Sequence, residues 1–411
     1  MRMKTMFEVT AKKGAAALAA SVLMLGLAAP AWCAETSGEM EFAEIGGVTH
    51  PSKAVSTPAA AMDAKGAVYL AWFEEEKDHN LFHVAASADG KDFSAPVRVD
   101  GGNDEPAGIH GSPMLATGPK GELYAAWTTP RAGAAFGADL KFSRSIDGGK
   151  TFSPAVKVSD SPQPASAGFE SMAVGPDGAI YLAWLDGREK ATVGSATYFA
   201  VSRDGGKSFS PNVKIDGGSC PCCRTALAIA PDGTVYAVWR KVFANDVREM
   251  VAASSRDGGK TFGAPAVVGN DKWVIAGCPH RGAGLGVDGG GKLHVIWYSE
   301  GGGKPAIYYA VSADRGAAFT KEEIAVTPGF FPDHPALAVA GGKVYLTWEE
   351  VTPVFGNIMF KAASGGTARR LSDGVRKSSS PAVAANANGM MAVAWSKDEM
   401  RNTRSLLRVA R

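Results

Sequence analysis

The chain has 411 residues with 43 Lys+Arg against 41 Asp+Glu, and 45% of its residues are hydrophobic. So even a charge balance supplies no electrostatic drive toward nucleic acid or an anionic membrane, which excludes the strongly basic binding classes.

Residues 1–34 read as a secretory signal peptide. Arg2, Lys4, Lys12 and Lys13 give a basic start, Gly14 to Pro30 is an apolar run, and small residues follow at Ala31, Cys33 and Ala34. The apolar run is short for a membrane span, so no integral membrane segment is expected once the signal is removed. The expected location is periplasmic or secreted. Removal takes four basic residues and one acidic one, leaving 39 Lys+Arg against 40 Asp+Glu. Residues 35–411 are expected to form a single domain, and no feature specifies an oligomer. Four cysteines remain, Cys220, Cys222, Cys223 and Cys278, in a compartment that permits disulfides.

The first predicted element is a strand in Met40-Glu-Phe-Ala-Glu-Ile45. After it, short β-rich segments ending in Trp recur: Val68–Trp72, Leu123–Trp127, Ile180–Trp184, Val235–Trp239, Leu293–Trp297, Val344–Trp348 and Met391–Trp395. Seven copies at intervals of 47 to 58 residues mark a repeat architecture. Each copy follows an apolar strand and a tight turn, such as Pro176-Asp-Gly178 or Pro231-Asp-Gly233, and so reads as a hairpin. A third strand, such as Tyr308–Ser312, and a fourth, such as Ala155–Val158, complete each unit. The last unit ends after its third strand, Ser405–Ala410, and the N-terminal strand can supply the fourth, pairing two otherwise open edges. The prediction is an all-β, seven-bladed β-propeller with four antiparallel strands per blade and a ring closed by the N-terminal strand. Six blades is the fallback if the last unit is irregular. The Trp residues read as core plugs, because they recur in every unit.

Third strands lead into a repeated turn: Ser145-Ile-Asp147-Gly-Gly149-Lys-Thr-Phe152, Ser202-Arg-Asp204-Gly-Gly206-Lys-Ser-Phe209 and Ser255-Arg-Asp257-Gly-Gly259-Lys-Thr-Phe262. Ser312-Ala-Asp314-Arg-Gly316-Ala-Ala-Phe319 is a worn copy, Ser87-Ala-Asp89-Gly-Lys-Asp-Phe93 is one residue shorter, and the sixth unit has only Ser364–Leu371. The Asp accepts bonds from turn N–H groups, Gly supplies positive φ, and Phe is placed to plug the seam between units. These phrases resemble the Asp-box (BNR) repeats of the sialidase superfamily, and the resemblance extends over residues 35–411.

In such a fold the loops entering the innermost strands open at one mouth of the central channel. Aligned on those strands, Cys220-Pro-Cys222-Cys223-Arg224 matches Cys278-Pro-His280-Arg281 and puts Cys222 in register with His280. His110 falls at the same position in the second unit. His334 lies two positions further on in the sixth unit, and the third offers Glu170. The candidate metal ligands are therefore Cys220, Cys222, Cys223, Cys278, His280 and His110, a thiolate and imidazole set suited to copper or zinc, with the softer ligands favouring copper. Two other readings stand beside it. Cys220 and Cys278 could form an inter-blade disulfide in an inert protein-interaction scaffold, or the thiols could exchange with a protein thiol partner. His294 fills a slot held by Tyr in other units and reads as structural, and His79 and His83 read as incidental. His50, just beyond the closing strand, fits either role.

The superfamily resemblance implies a further alternative, an exo-alpha-sialidase-like glycoside hydrolase. Sialidases hold the sugar carboxylate with three arginines and use a Tyr nucleophile paired with Glu, an Asp acid and an Arg-Ile-Pro segment. Three guanidiniums around one carboxylate is a sound ionic clamp. This chain has no Arg-Ile-Pro, and its first channel loop, Ala54–Pro58, has no Arg. The residues available for such chemistry are Arg224, Arg281, Glu170 and Tyr298, with Arg188, Arg240, Asp333 and Glu300 nearby. A binding or assembly role is favoured over an enzymatic one.

Overall fold

The computed structural model describes residues 42–45, 58–76, 79–100, 106–108, 112–131, 137–162, 165–189, 194–399 and 402–410. The expected signal segment, His50 and His110 lie outside the described residues. Among the described residues strands dominate, and the one helical element is the short 3-10 turn Ala244–Asp246. No described helix is long and apolar enough to cross a membrane.

The strands build a β-propeller. Ala59–Met62, Val68–Glu76, His79–Ser87 and Val97–Arg98 form one four-stranded antiparallel sheet, and Met114–Thr117, Leu123–Pro130, Ala138–Ser145 and Val156–Lys157 form the next. Further four-stranded sheets start at Ala283–Val287 and at Phe331–Ala340. In the last, Phe42–Ile45 pairs with Asn402–Ala410 beside Met391–Glu399 and Ser378–Ala385, so the N-terminal strand completes the C-terminal sheet. The first strands adjoin in sequence, and Ser378–Ala385 returns to Ala59–Met62, so the inner strands close into a ring.

Seven separate four-stranded sheets are not found. Five sheets are four-stranded and one is nine-stranded, holding the Trp184 and Trp239 repeats together. The link is a pairing of Ser219, at the end of Val213–Ser219, with Lys241 on the neighbouring strand Val235–Val242. The fallback of six rested on an irregular last unit; that unit forms a four-stranded sheet with a register shift between Ser379 and Ala382.

Each strand-end Trp is buried, and an acidic residue two places on, where present, satisfies its indole N–H. Trp72 donates to Glu74, Trp184 to Asp186 at 3.0 Å and Trp348 to Glu350 at 3.2 Å. Trp297 has Ser299 there and turns instead to Asp271, 2.6 Å away. Trp127, Trp239 and Trp395 are followed at that place by Thr129, Lys241 and Lys397, and their N–H groups have no partner. An unpaired buried donor carries a desolvation cost of about 1–3 kcal/mol, so these three plugs are less favourable than their sisters.

The repeated turns form as their composition predicts. Asp147 Oδ1 accepts from the Ser145 hydroxyl at 2.7 Å and the Thr151 N–H at 3.0 Å, while Ser145 Oγ accepts from the Gly149 N–H at 2.9 Å. Ser202/Asp204 and Ser255/Asp257 repeat the pattern. Phe209 meets Phe142 of the preceding unit edge-to-face at 5.1 Å, and Phe262 meets Phe199 likewise. Gly206 sits against that seam at φ +82, where a Cβ would come within 2.2 Å of the Phe142 ring.

Candidate metal and thiol site

The loop Cys220–Arg224 joins the strand Val213–Ser219 to the inner strand Ala226–Ile229. Its two ends are held by different repeats. The Cys220 N–H donates to the Arg240 carbonyl at 2.7 Å, and the Thr225 N–H donates to the Phe169 carbonyl at 3.1 Å. The Thr225 hydroxyl bonds Ser171 at 2.8 Å and the Ala183 carbonyl at 3.0 Å.

This anchorage folds three sulfurs inward. Cys220 and Cys223 are fully buried and Cys222 nearly so, with Phe169 and Val242 packed on them. Cys220 Sγ lies 3.5 Å from Cys223 Sγ and 3.8 Å from Cys222 Sγ. Cys222 is also part of a second triad: its sulfur, that of Cys278 and a ring nitrogen of His280 all lie within 4.8 Å of one another. Cys278 and His280 are exposed. One triad is therefore enclosed, the other faces outward, and Cys222 belongs to both. Five of the six expected ligands are brought together, and His110 lies outside the described residues. Strand register bears out the predicted equivalence, since Ala226 opposite Val238 and Gly284 opposite Ile296 put Cys222 and His280 at matching positions.

The structure does not join Cys220 to Cys278: no disulfide links Cys220, Cys222, Cys223 or Cys278, and the sulfurs in contact with Cys220 are those of Cys222 and Cys223. The loop turns Cys220 into the hairpin behind it, whereas Cys278 stays on the surface.

Two buried guanidiniums flank the enclosed triad. Arg248 Nη1 donates to Cys220 Sγ at 3.0 Å. Arg240, 1% exposed, donates through Nη2 to the Tyr298 carbonyl at 2.7 Å, while its Nε and Nη1 have no partner. Hydrogen bonds from Cys222 and Cys223, reinforced by the Arg248 charge, hold the Cys220 thiol far below the ordinary thiol range. The bond to Cys220 pushes Cys223 up to about 11, with Arg240 pulling the other way. Cys222 is also raised, by its bonds to Cys220 and Cys223. Cys220 is thus the resting thiolate and its neighbours are the protonated donors. Sequence reasoning missed Arg248, which lies opposite Val242 across the Val235–Val242 hairpin and carries no motif of its own.

The candidates for sugar chemistry are arranged differently. Arg224 and Arg281 line one cavity of about 470 Å³ at the channel mouth, together with Phe169, His280, His334 and Ser380. Glu170 and Tyr298 do not line it. Arg281 is committed: Nε and Nη2 grip Asp333 at 2.5 Å each, Nη1 donates to the Pro279 carbonyl at 2.7 Å, and the guanidinium stacks over Tyr298. Tyr298 is buried and bonded to Glu300, and burial with that bond raises its phenol pKa, the opposite of what a nucleophile needs. Glu170, 1% exposed with one carboxylate oxygen unpartnered, is pushed up to about 7 by burial against the pull of Arg224. Beyond the cavity wall, His334 bonds Glu349 at 2.6 Å, but Glu349 and Asp333 are already held by the Ser380 N–H and Arg281.

No family model matches the sequence, and no curated protein matches it. Among solved structures it is similar to a GH93 alpha-L-arabinofuranosidase of Fusarium graminearum bound to arabinobiose, 13% identical, with 90% of this chain and 97% of that one covered and a TM-score of 0.53. It is similar to the Hadza microbial sialidase Hz136 at 16% identity, 84% and 77% coverage and a TM-score of 0.50. A protein of unknown function from Dyadobacter fermentans DSM 18053 is 14% identical, with 90% and 98% covered and a TM-score of 0.52. At such identities the likeness is one of fold: this chain shares the β-propeller of sialidases and arabinofuranosidases.

Proposed function

We propose that this chain is an exported β-propeller that binds one soft metal ion, copper(I) in preference to zinc, through Cys220, Cys222 and Cys223. The observation that carries the reading is the convergence of three buried sulfurs beneath the Arg248 guanidinium. Thiolates select copper(I) and zinc among common metals. Charge favours the monovalent ion: three thiolates around it leave two negative charges facing Arg240 and Arg248, the latter also 3.8 Å from the exposed Asp246 carboxylate. Buried charge persists only when it is paired in this way. Cys278 and His280 supply donors on the exposed side of Cys222, a route by which an ion reaches the enclosed triad. Loading releases the protons of Cys222 and Cys223, so affinity falls as pH falls. The test is competition for copper(I) between the reduced protein and a chromophoric chelator. Binding that survives Cys222→Ser unchanged would refute the reading.

The finer description of the scaffold belongs to the same proposal: an Asp-box propeller of seven blades, with the nine-stranded sheet counted as two blades joined at Ser219–Lys241. The continuous cycle of inner strands supports it.

A second reading, a glycoside hydrolase acting on a sialic-acid-like sugar, is favoured by the fold of the structural relatives and by the shared cavity of Arg224 and Arg281. The ion pair between Arg281 and Asp333 weighs against it, because the donors a carboxylate clamp needs are engaged. Turnover of an aryl sialoside that falls in Arg224→Ala would establish this reading; absence of turnover at acidic and neutral pH would remove it.

A further inference from the structure

We propose that Cys278 and Cys222 form a thiol relay carrying oxidising equivalents from an external disulfide to the buried pair Cys220 and Cys223. The proposal stands apart from the metal reading, since it needs only the sulfurs. Cys220 and Cys223 are the innermost pair, separated by two residues in a Cys-x-x-Cys spacing, 3.5 Å between sulfurs and shut off from solvent. No external disulfide reaches them directly. Cys278 is exposed, and Cys222 is within 4.8 Å of it while also 3.8 Å from Cys220. The four sulfurs therefore make a continuous chain from surface to interior.

Each step is an exchange of one S–S bond for another. The exposed Cys278 attacks an external disulfide, its proton passing to solvent; a Cys278 mixed disulfide forms and one external thiolate leaves. Cys222 attacks the Cys278 sulfur, a Cys222–Cys278 disulfide forms, and the second external thiolate leaves. Cys220, whose sulfur accepts from Arg248 Nη1 at 3.0 Å, attacks the Cys222 sulfur and releases Cys278. Cys223 then attacks the Cys220 sulfur and releases Cys222. The net result is one external disulfide reduced and one Cys220–Cys223 disulfide formed; with Cys220 starting as the thiolate, Cys223 gives up the one proton and the external partner leaves as one thiol and one thiolate. Where the site also holds a metal ion, this oxidation removes two of its three enclosed thiolates, so the thiol balance of the compartment governs loading.

The experiment uses the full-length chain, metal-free and reduced, mixed with oxidised glutathione or, in a parallel arm, an oxidised protein bearing a Cys-x-x-Cys disulfide. Thiols are trapped at intervals by alkylation and mapped by tandem mass spectrometry. The expected product is a Cys220–Cys223 disulfide, formed at least about ten-fold more slowly in Cys278→Ser. In Cys222→Ser the mixed disulfide should accumulate on Cys278 while the inner pair stays reduced. Reaction with glutathione identifies a small-molecule source, and reaction with the protein arm alone a protein-borne one. Equal rates of inner oxidation in Cys278→Ser, or a wild-type inner pair left reduced by both oxidants, would overturn the proposal. Because no metal is present, neither outcome depends on the copper reading.

Discussion

Replacing Arg248 by Met removes a charge while keeping most of the side-chain volume, and it isolates what the guanidinium does for the thiol site. Arg248 Nη1 donates to Cys220 Sγ at 3.0 Å from a position 7% exposed, where solvent screens little. A hydrogen bond to a charged partner contributes about 1.5–3 kcal/mol, so its loss should weaken binding by roughly 10- to 100-fold. The same loss raises the Cys220 thiol pKa, since the Arg248 charge is one of the causes that hold it down. The proton then competes with the metal up to higher pH, and the binding curve against pH moves upward. The assay is a copper(I) titration of reduced protein against a chelator at a series of pH values, with Arg248→Lys as the variant that keeps charge but loses the planar fork. Curves for Arg248→Met that overlie the wild type, in affinity and in pH midpoint, would refute the assignment of Cys220 as the resting thiolate.

The turn carboxylates set the acid limit of the fold. Asp147 is lowered to about 2 by hydrogen bonds from the Thr151 and Ser145 hydroxyls, and Asp204 and Asp257 are lowered by the equivalent bonds. Their folded pKa values lie below the unfolded one, so the stability they confer is complete above the unfolded value near pH 4 and is lost as pH falls toward about 2; the triple Asn variant should show a flatter urea-denaturation profile over that window. Glu170 works in the opposite sense: its folded pKa, about 7, exceeds the unfolded value, so stability is lost as pH rises through neutrality. Roughly 3 kcal/mol of pH dependence between about pH 4.5 and 7 should vanish in Glu170→Gln. Gly206→Ala places a Cβ 2.2 Å from the Phe142 ring at positive φ and should cost about 2–4 kcal/mol by denaturant melting, more than Gly233→Ala, where the space is open.

Much of the fold is legible in the sequence because its signals are local and repeated. The Trp strands, the Ser-x-Asp-Gly-Gly turns and the spare N-terminal strand each announce their place, and the first strand does pair with the last. Counting sheets fails where one long-range pairing, Ser219 with Lys241, joins neighbours without any motif to mark it. The convergence of Cys220, Cys222, Cys223, Cys278 and His280 is also legible, since equivalent loops of repeats must meet at one mouth. Which sulfur bonds which is not. The Cys220 contacts follow from a loop pinned by Thr225 and Arg240, and the guanidinium that charges Cys220 comes from the neighbouring strand. Arg281 illustrates the same limit: its place at the mouth could be read from register, but its commitment to Asp333 is a tertiary fact.

The central claim is that three buried thiols and two buried guanidiniums make a site for one soft cation. The measurement that bears on it most directly is elemental analysis by mass spectrometry, with a thiol count, on protein isolated anaerobically under reducing conditions and offered copper(I) and zinc together. The account predicts one copper per chain, lost in Cys222→Ser while the fold is kept. A wild-type chain with its thiols reduced and titratable, yet holding neither metal, would contradict it.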